Sequence, residues 1–223
     1  MHPRARSRHP VVRPLLALLP FLAATLFAPL APAASAAQAT PVPPLADCAA
    51  VGATPVASAA AFPLTVTDDL GRTVTFAEAP ERIVSIIPSN TEILFALGLD
   101  DRVVAVDAYS DFPAEAREKP TVGDYLNPDL EGMVAADPDL VLAAASHDAT
   151  VLPALERLGV PVVAVEPESL ARVLSSIELV ARIAGVPERG QVLACDLAER
   201  IAAVEAAVAG AVRPRVFFEI STD

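Results

Sequence analysis

Short apolar runs and segments of helical periodicity alternate along most of the chain. Residues 64–67 and 73–76 each alternate apolar and polar positions, and the Asp-Asp-Leu-Gly sequence at 68–71 between them is typical of a turn. This part of the chain therefore predicts a β-hairpin. Apolar runs of strand length follow it at 83–87, 103–106, 139–143 and 162–165.

Segments with helical signals separate these runs. Ser89 and Glu92 have the spacing of a capping box, in which each side chain satisfies a free backbone N–H, and Gly98 ends that helix. Asn127 and Pro128 predict the N-cap and the first position of another helix. Strands separated by helices form parallel sheets that are covered on both faces. The fold class is therefore predicted as α/β, a β-hairpin followed by a parallel-sheet lobe with covering helices.

The last part of the sequence is mainly helical. One apolar stripe runs from Leu170 to Ala184 and ends at Gly185, and a longer helix begins near Pro187. The segment RVFFEI at 215–220 then predicts a strand close to the end of the sequence. Because a parallel strand needs a partner and a covering layer, we expect the sequence to stop just as a second lobe begins. The alternative is a C-terminal strand that completes the first sheet.

The N-terminus has the pattern of an export signal. Four arginines precede an apolar run at 15–30, and two A-x-A sites follow at 34–36 and 37–39. A transmembrane anchor is the alternative, but the run is shorter than the roughly 20 residues of a spanning helix. It also contains Pro20 and Pro29. We therefore predict a signal peptide and an exported protein.

The charge of the chain excludes one class of partner. The 223 residues include 28 acidic and 16 basic side chains, which gives a net charge of −12. Loss of the predicted leader removes four arginines and leaves 12 basic residues and a net charge of −16. Proteins that bind nucleic acid present a basic face, so nucleic acid is excluded as a partner.

The two cysteines leave alternatives open. Cys48 and Cys195 are separated by 146 residues, and export permits a disulfide without requiring one. Cys195 lies in a helical pattern and is interpreted as a buried small apolar residue. The sequence before Cys48 resembles a lipoprotein processing site, but Asp47 stands where a small residue is expected. Lipidation of Cys48 is therefore the weaker interpretation.

Candidate ligand contacts follow the predicted strands, because open α/β sheets bind ligands beyond the carboxyl ends of their strands. Tyr109 lies at such an end, and Tyr125 is the only other tyrosine of the chain. A tyrosine offers a flat apolar face and one hydroxyl, which suits a large, partly polar ligand. The alternative for each tyrosine is partial burial with its hydroxyl bonded to a loop carbonyl.

Catalytic motifs are missing from the sequence. It contains no G-x-S-x-G, P-loop, G-x-G-x-x-G or C-x-x-C motif. His147 is the only histidine after the predicted leader, so a histidine-rich metal cluster cannot form. We therefore predict that the protein is not an enzyme and holds no metal or cofactor.

Residues 82–98, RIVSIIPSNTEILFALG, resemble the opening strand and helix of the vitamin B12 and iron-chelate solute-binding proteins of ABC importers. The resemblance covers the chain from about residue 64 onward. It continues through YSDFP at 109–113, VG at 122–123, NPDLE at 127–131 and DPDLV at 137–141.

The resemblance implies two α/β lobes that are joined by one long rigid helix and clamp a ligand between them. We therefore expect a signal peptide at 1–39, a flexible tether rich in Ala, Pro, Thr and Ser at 40–63, an N-terminal lobe at 64–186, a connector helix at 187–211 and the first strand of a truncated second lobe at 212–223.

The resemblance also implies roles for particular residues. Aromatic residues at the positions of Tyr109 and Tyr125 line the corrinoid cleft, whereas Ala143-Ala144 replaces a third aromatic that is often Trp. That departure leaves room for a different ligand. Glu131 is the candidate for docking onto arginines of the membrane permease; its alternative is a first-turn acid that the helix dipole favours. The predicted ligand-binding residues are Tyr109, Tyr125, Ser89, Asn90, Ser110 and His147.

The resulting hypothesis is a monomeric cobalamin-binding component of an ABC importer, located in the periplasm or at the extracytoplasmic face of the membrane. A ferric siderophore or haem is the alternative ligand. The alternatives from other classes are an exported α/β enzyme whose active residues lie in a missing part, and a surface adhesion module.

Overall fold

The computed structural model describes Cys48 and residues 61–218. The predicted signal peptide, most of the predicted tether and residues 219–223 lie outside the described residues. Within the described part of the chain, no helix is both long enough and apolar enough to cross a bilayer.

The centre of the described fold is a parallel sheet of four strands. Its strands are β3 (Ile83–Ser85), β4 (Val103–Val106), β5 (Leu140–Ala143) and β6 (Val162–Ala164). They lie in the order β4-β3-β5-β6, and every neighbouring pair is parallel. Their continuous apolar sequences are explained by burial on both faces of the sheet. The predicted α/β fold class is confirmed.

Five helices cover the two faces of this sheet. They are α1 (Pro88–Ala96), α2 (Leu130–Ala135), α3 (Leu152–Arg157), α4 (Leu170–Ile183) and α5 (Pro187–Ala207). Successive strand residues point to opposite faces, so Ile83 packs in the core formed with α1, α4 and α5, and Val84 packs in the core formed with α2 and α3. The loops at the strand ends stand on a sheet that is fixed from both sides.

The predicted hairpin is confirmed. Strands β1 (Leu64–Thr67) and β2 (Thr73–Phe76) are antiparallel, with Leu64 opposite Phe76. In the turn between them, the buried carboxylate of Asp68 accepts a hydrogen bond from the N–H of Ala164, at 3.1 Å. The turn thereby covers the edge of β6, which would otherwise leave strand N–H groups unpaired.

Two predicted helix starts are wrong. Helix α1 begins at Pro88, with Ile87 as an N-cap that makes no side-chain hydrogen bond, so the capping box of Ser89 and Glu92 does not form. Proline suits the first helical position because its φ is already helical and its missing N–H would be unpaired there. Helix α2 begins at Leu130 instead of Pro128, because its start is capped by the side chain of Asp129.

The segment after α5 differs from its prediction. Helix α5 ends at Ala207 rather than residue 211, and residues 211–218 form neither helix nor strand. The predicted strand at 215–220 is therefore wrong in its described part. A strand is stabilised by hydrogen bonds to a neighbour, and none of the described strands pairs with this segment.

The structure joins Cys48 to Cys195 by a disulfide, with the two Cα atoms 5.4 Å apart. This settles the alternative that the sequence left open. Cys195 is buried, as expected, but its sulfur is covalently bonded rather than a free apolar group. Because the sulfur of Cys48 is bonded to Cys195, it cannot also carry the thioether of a lipid anchor.

Candidate functional site

The candidate site lies where the path of the chain through the sheet reverses. From β3 the chain moves to β4 on one side, and it later returns to form β5 on the other side. Beyond the carboxyl ends of strands at such a reversal, an open α/β sheet leaves a crevice that can hold a ligand. The segments that leave β3, β4 and β5 carry Asn90, the two tyrosines and His147, respectively.

The structure brings the two tyrosines together. The ring centroids of Tyr109 and Tyr125 are 5.9 Å apart, and the ring planes meet at 63° in an edge-to-face arrangement. Both side chains are open to solvent, Tyr109 at 57% and Tyr125 at 39% exposure. Edge-to-face pairing is a preferred aromatic geometry and leaves ring surface free for a third partner.

Tyr109 is held by a buried polar network beneath it. The carboxylate of Asp107 accepts hydrogen bonds from the backbone N–H of Tyr109, at 2.9 Å, and from the hydroxyl of Ser110. The Ser110 hydroxyl lies 2.7 Å from that of Thr91, which donates to Ser85 on β3 at 2.8 Å. Ser110, a predicted ligand residue, is therefore directed inward and supports the loop of Tyr109.

His147 is buried rather than open to a ligand. Its Nδ1 accepts a hydrogen bond from the N–H of Ala144, at 3.2 Å, and its Nε2 lies 2.6 Å from the carbonyl oxygen of Tyr125. Since Nδ1 is an acceptor, Nε2 carries the proton and donates it to that carbonyl. Both ring nitrogens are used, so the predicted ligand contact of His147 is replaced by a contact with the backbone of Tyr125.

The two predicted residues of α1 differ in position. Ser89 is exposed at the first turn of the helix. Asn90 is 1% exposed, and its amide nitrogen donates to the carbonyl of Ala143 at the end of β5, at 3.2 Å. Its Oδ1 has no hydrogen-bond partner among the described residues. Asn90 thus ties α1 to β5 beneath the crevice, and only Ser89 reaches the surface.

The loop of Tyr125 is closed by Asp124. Its Oδ1 accepts hydrogen bonds from the backbone N–H groups of Leu126 and Asn127, both at 2.8 Å. The pKa of Asp124 is lowered from 3.8, and the hydrogen bond from the N–H of Asn127 is the main cause. The N–H of Leu126 and the side chain of Asn127 lower the pKa further. Together these three hydrogen bonds outweigh desolvation, which raises the pKa. The ionised carboxylate therefore stabilises this turn.

The lowered pKa of Asp124 predicts a change in the loop in acid. A carboxyl group whose pKa is lower in the folded state stabilises it above the unfolded pKa, and this contribution is lost as the pH falls through the folded value, below 3.8. We expect the tyrosine circular dichroism to be constant from neutral pH to about pH 4 and to change below it. In Asp124→Asn, whose amide oxygen still accepts hydrogen bonds, this part of the change should be absent. An identical acid transition in that variant would contradict the assignment.

Three residues that shape the site are not among the predicted ligand-binding residues. Asp107 anchors Tyr109, and Phe112 and Leu126 add exposed apolar surface to the two tyrosine loops. The position of Asp107 directly after a strand and two residues before Tyr109 is the pattern of an Asx turn, so its role had a local signal. No local sequence signal indicated that Phe112 and Leu126 are exposed.

Two further observations concern metal binding and the predicted docking residue. In the described portion, no group of three or more His, Cys, Asp or Glu side chains could hold a metal ion. Glu131, the predicted docking residue, is exposed in the first turn of α2, on the helix that follows the Tyr125 loop.

A parallel α/β sheet with an exposed aromatic pair at its carboxyl edge has the features of a small-molecule-binding lobe. The pattern that defines the family "Periplasmic binding protein" matches residues 83–221, which is more than half of the chain. The chain belongs to this family of solute-binding transport proteins.

Individual relatives agree with the family. The chain is 35% identical over 150 residues to the vitamin B12-binding protein of Vibrio parahaemolyticus, covering 66% of this chain and 54% of that protein. It is 37% identical over 136 residues to the uncharacterized ABC transporter substrate-binding lipoprotein YvrC of Bacillus subtilis, covering 59% of this chain and 43% of that protein. The solved apo structure of the periplasmic heme-binding protein RhuT from Roseiflexus sp. RS-1 matches with a TM-score of 0.55 and 33% identity, covering 60% and 52%. The chain spans about half the length of the curated relatives it matches.

Proposed function

We propose that this chain forms one wall of the ligand cleft in an extracytoplasmic solute-binding component of an ABC importer, and that the ligand is cobalamin or a related corrinoid. The observation that carries the proposal is the exposed edge-to-face pair of Tyr109 and Tyr125 at the carboxyl edge of the sheet. Two ring faces supply apolar contact area at low entropic cost, and their hydroxyls meet the polar rim of a large ligand.

The relatives support this ligand class and also provide its alternative. The vitamin B12-binding relative supports a corrinoid, and the heme-binding structure supports haem or another iron chelate. One feature of the chain is compatible with haem or another iron chelate. Ala143 and Ala144 are buried at the end of β5, so this strand end offers the ligand no aromatic ring.

The proposed membrane partner is the permease of the importer. A binding protein that delivers its ligand needs an exposed docking residue, and Glu131 meets this requirement. Its charge complements arginines of the kind that the family resemblance implies on the permease. Since α2 follows the Tyr125 loop, a contact at Glu131 would lie on an element directly connected to the ligand edge.

The ligand is tested by equilibrium dialysis of the chain against cyanocobalamin, haem and a ferric hydroxamate. One wall buries less of a ligand than a closed cleft, so we expect a Kd weaker than micromolar, up to about 1 mM. Tyr109→Ala should weaken cobalamin binding by about tenfold, because it removes one ring of the pair. Val192→Ala, an exposed change on α5, is the control and should leave the Kd unchanged.

Tyr109→Phe and Tyr125→Phe separate the two ligands. Each keeps the ring and removes the hydroxyl, so contact with a corrinoid should persist, whereas haem held through a tyrosine oxygen on its iron would be lost. If only the iron chelates bind, the ligand is an iron chelate instead of a corrinoid, and the proposed importer function is retained. No binding of any of the three would contradict the proposed ligand classes and favour an exported enzyme.

A further inference from the structure

His147 connects the loop of Tyr125 to the loop that follows β5. Its ring accepts from Ala144, just beyond β5, and donates to the carbonyl of Tyr125 in the neighbouring loop. The side chain is 2% exposed. Its hydrogen bonds are therefore made away from bulk water, where an unpaired carbonyl or ring nitrogen is costly.

This contact differs in kind from the hydrogen bonds of Asp124. Those bonds are internal to the loop at 124–127 and determine its shape. The bond from His147 instead joins the backbone of Tyr125, in the middle of the loop, to the segment just beyond β5. The two ends of the loop are held separately, by the backbone bonds Ala108–Gly123 and Asp129–Val122. The distance between the two tyrosine rings depends on where the middle of the loop lies.

The geometry points to His147 as a positioning residue that holds Tyr125 against Tyr109 without contacting the ligand. The consequence for binding rests on the proposed function of the tyrosine pair. The effect on the pair itself does not, so the two can be measured separately.

The chain offers a direct readout of the pair. It contains two tyrosines and no tryptophan, so its near-ultraviolet tyrosine circular dichroism and its tyrosine emission arise from Tyr109 and Tyr125 alone. The wild-type spectrum is compared with those of Tyr109→Phe and Tyr125→Phe. The part that exceeds the sum of the two single-tyrosine spectra is the coupling signal of the pair.

We expect His147→Ala to lose the coupling signal and to weaken binding of cobalamin, or of haem if that is the ligand, by about tenfold. His147→Gln, whose amide nitrogen can still donate to the carbonyl of Tyr125, should retain most of the signal. His147→Asn can reach only Ala144 and should lose it. Met133→Ala, which opens the core between the sheet and helices α2 and α3, controls for a general loss of stability.

The inference is overturned if His147→Ala keeps the wild-type coupling signal, or if Met133→Ala loses it to the same extent. Should His147→Ala fail to fold, the comparison of Gln with Asn decides, and equal signals from these two variants would overturn the inference. A coupling signal that depends on His147 in a protein that binds none of the three ligands would support the positioning role and contradict the proposed function.

Discussion

Gly123→Ala is expected to lower the free energy of unfolding by about 3 kcal/mol and to separate the two tyrosines. Gly123 has a φ of +81°, which side chains of L-residues rarely adopt. A Cβ atom at this position would lie 2.4 Å from the carbonyl oxygen of Asn127 and 2.6 Å from the backbone nitrogen of Asp129. The chain ends of the Tyr125 loop would have to move apart, and the coupling signal and ligand affinity should fall together.

Gly159→Ala is the matched control for this variant. Gly159 has a similar φ of +75°, but a Cβ atom there would have no neighbour within 4 Å. It should cost about 1 kcal/mol, from the backbone conformation alone. Urea unfolding of both variants measures the difference, which isolates the contact with the loop backbone. Equal losses of stability would show that the Tyr125 loop accommodates a methyl group.

Gly190→Ala is expected to destabilise the packing of α4 on α5 by about 2 kcal/mol. The added Cβ would lie 2.3 Å from the Cβ of Ala181, so one helix must move away from the other. The helices are close enough here to dehydrate a carboxyl group: burial raises the pKa of Glu178, against a smaller opposing effect of Arg182. Helix propensity alone would favour alanine over glycine, so a loss of stability would show the steric contact between residue 190 and Ala181.

A second substitution tests this explanation. Ala181→Gly removes the atom that the new methyl group would meet, so the double variant should recover stability to within about 1 kcal/mol of the wild type, the remaining cost being glycine in a helix. Additive effects of the two substitutions in urea unfolding would contradict the proposed contact. Ala202→Leu, at an exposed position of α5, should change little.

The sheet could be predicted because its signal is local. Runs such as 103–106 are apolar at every position, and flanking helices then require a parallel arrangement, which the structure has. The predicted starts of α1 and α2 were wrong because two capping signals lie within a few residues of each other, and the apolar pattern does not choose between them. Asn127, for example, is bonded to Asp124 rather than to the start of α2.

The candidate site, like the fold, could be predicted only in part from the sequence. The position of Tyr109 after a strand places it at the ligand edge, which a sequence can indicate. That Ser110 and His147 turn inward depends on partners far away in sequence, Thr91 in one case and Tyr125 in the other. A sequence pattern assigns polar residues at a strand end to the surface, whereas the structure uses these two to support the tyrosines from below.

The disulfide has a consequence for how the lobe transmits force. Cys48 and Cys195 are 147 positions apart in sequence, yet their Cα atoms are 5.4 Å apart. Tension applied to the chain outside these two residues therefore passes through the S–S bond and bypasses the sheet and both tyrosine loops. The chain between the two cysteines, which would be about 500 Å long when fully extended, bears none of this tension until a reductant breaks the disulfide. A load on the segments that flank the lobe would leave the ligand edge intact.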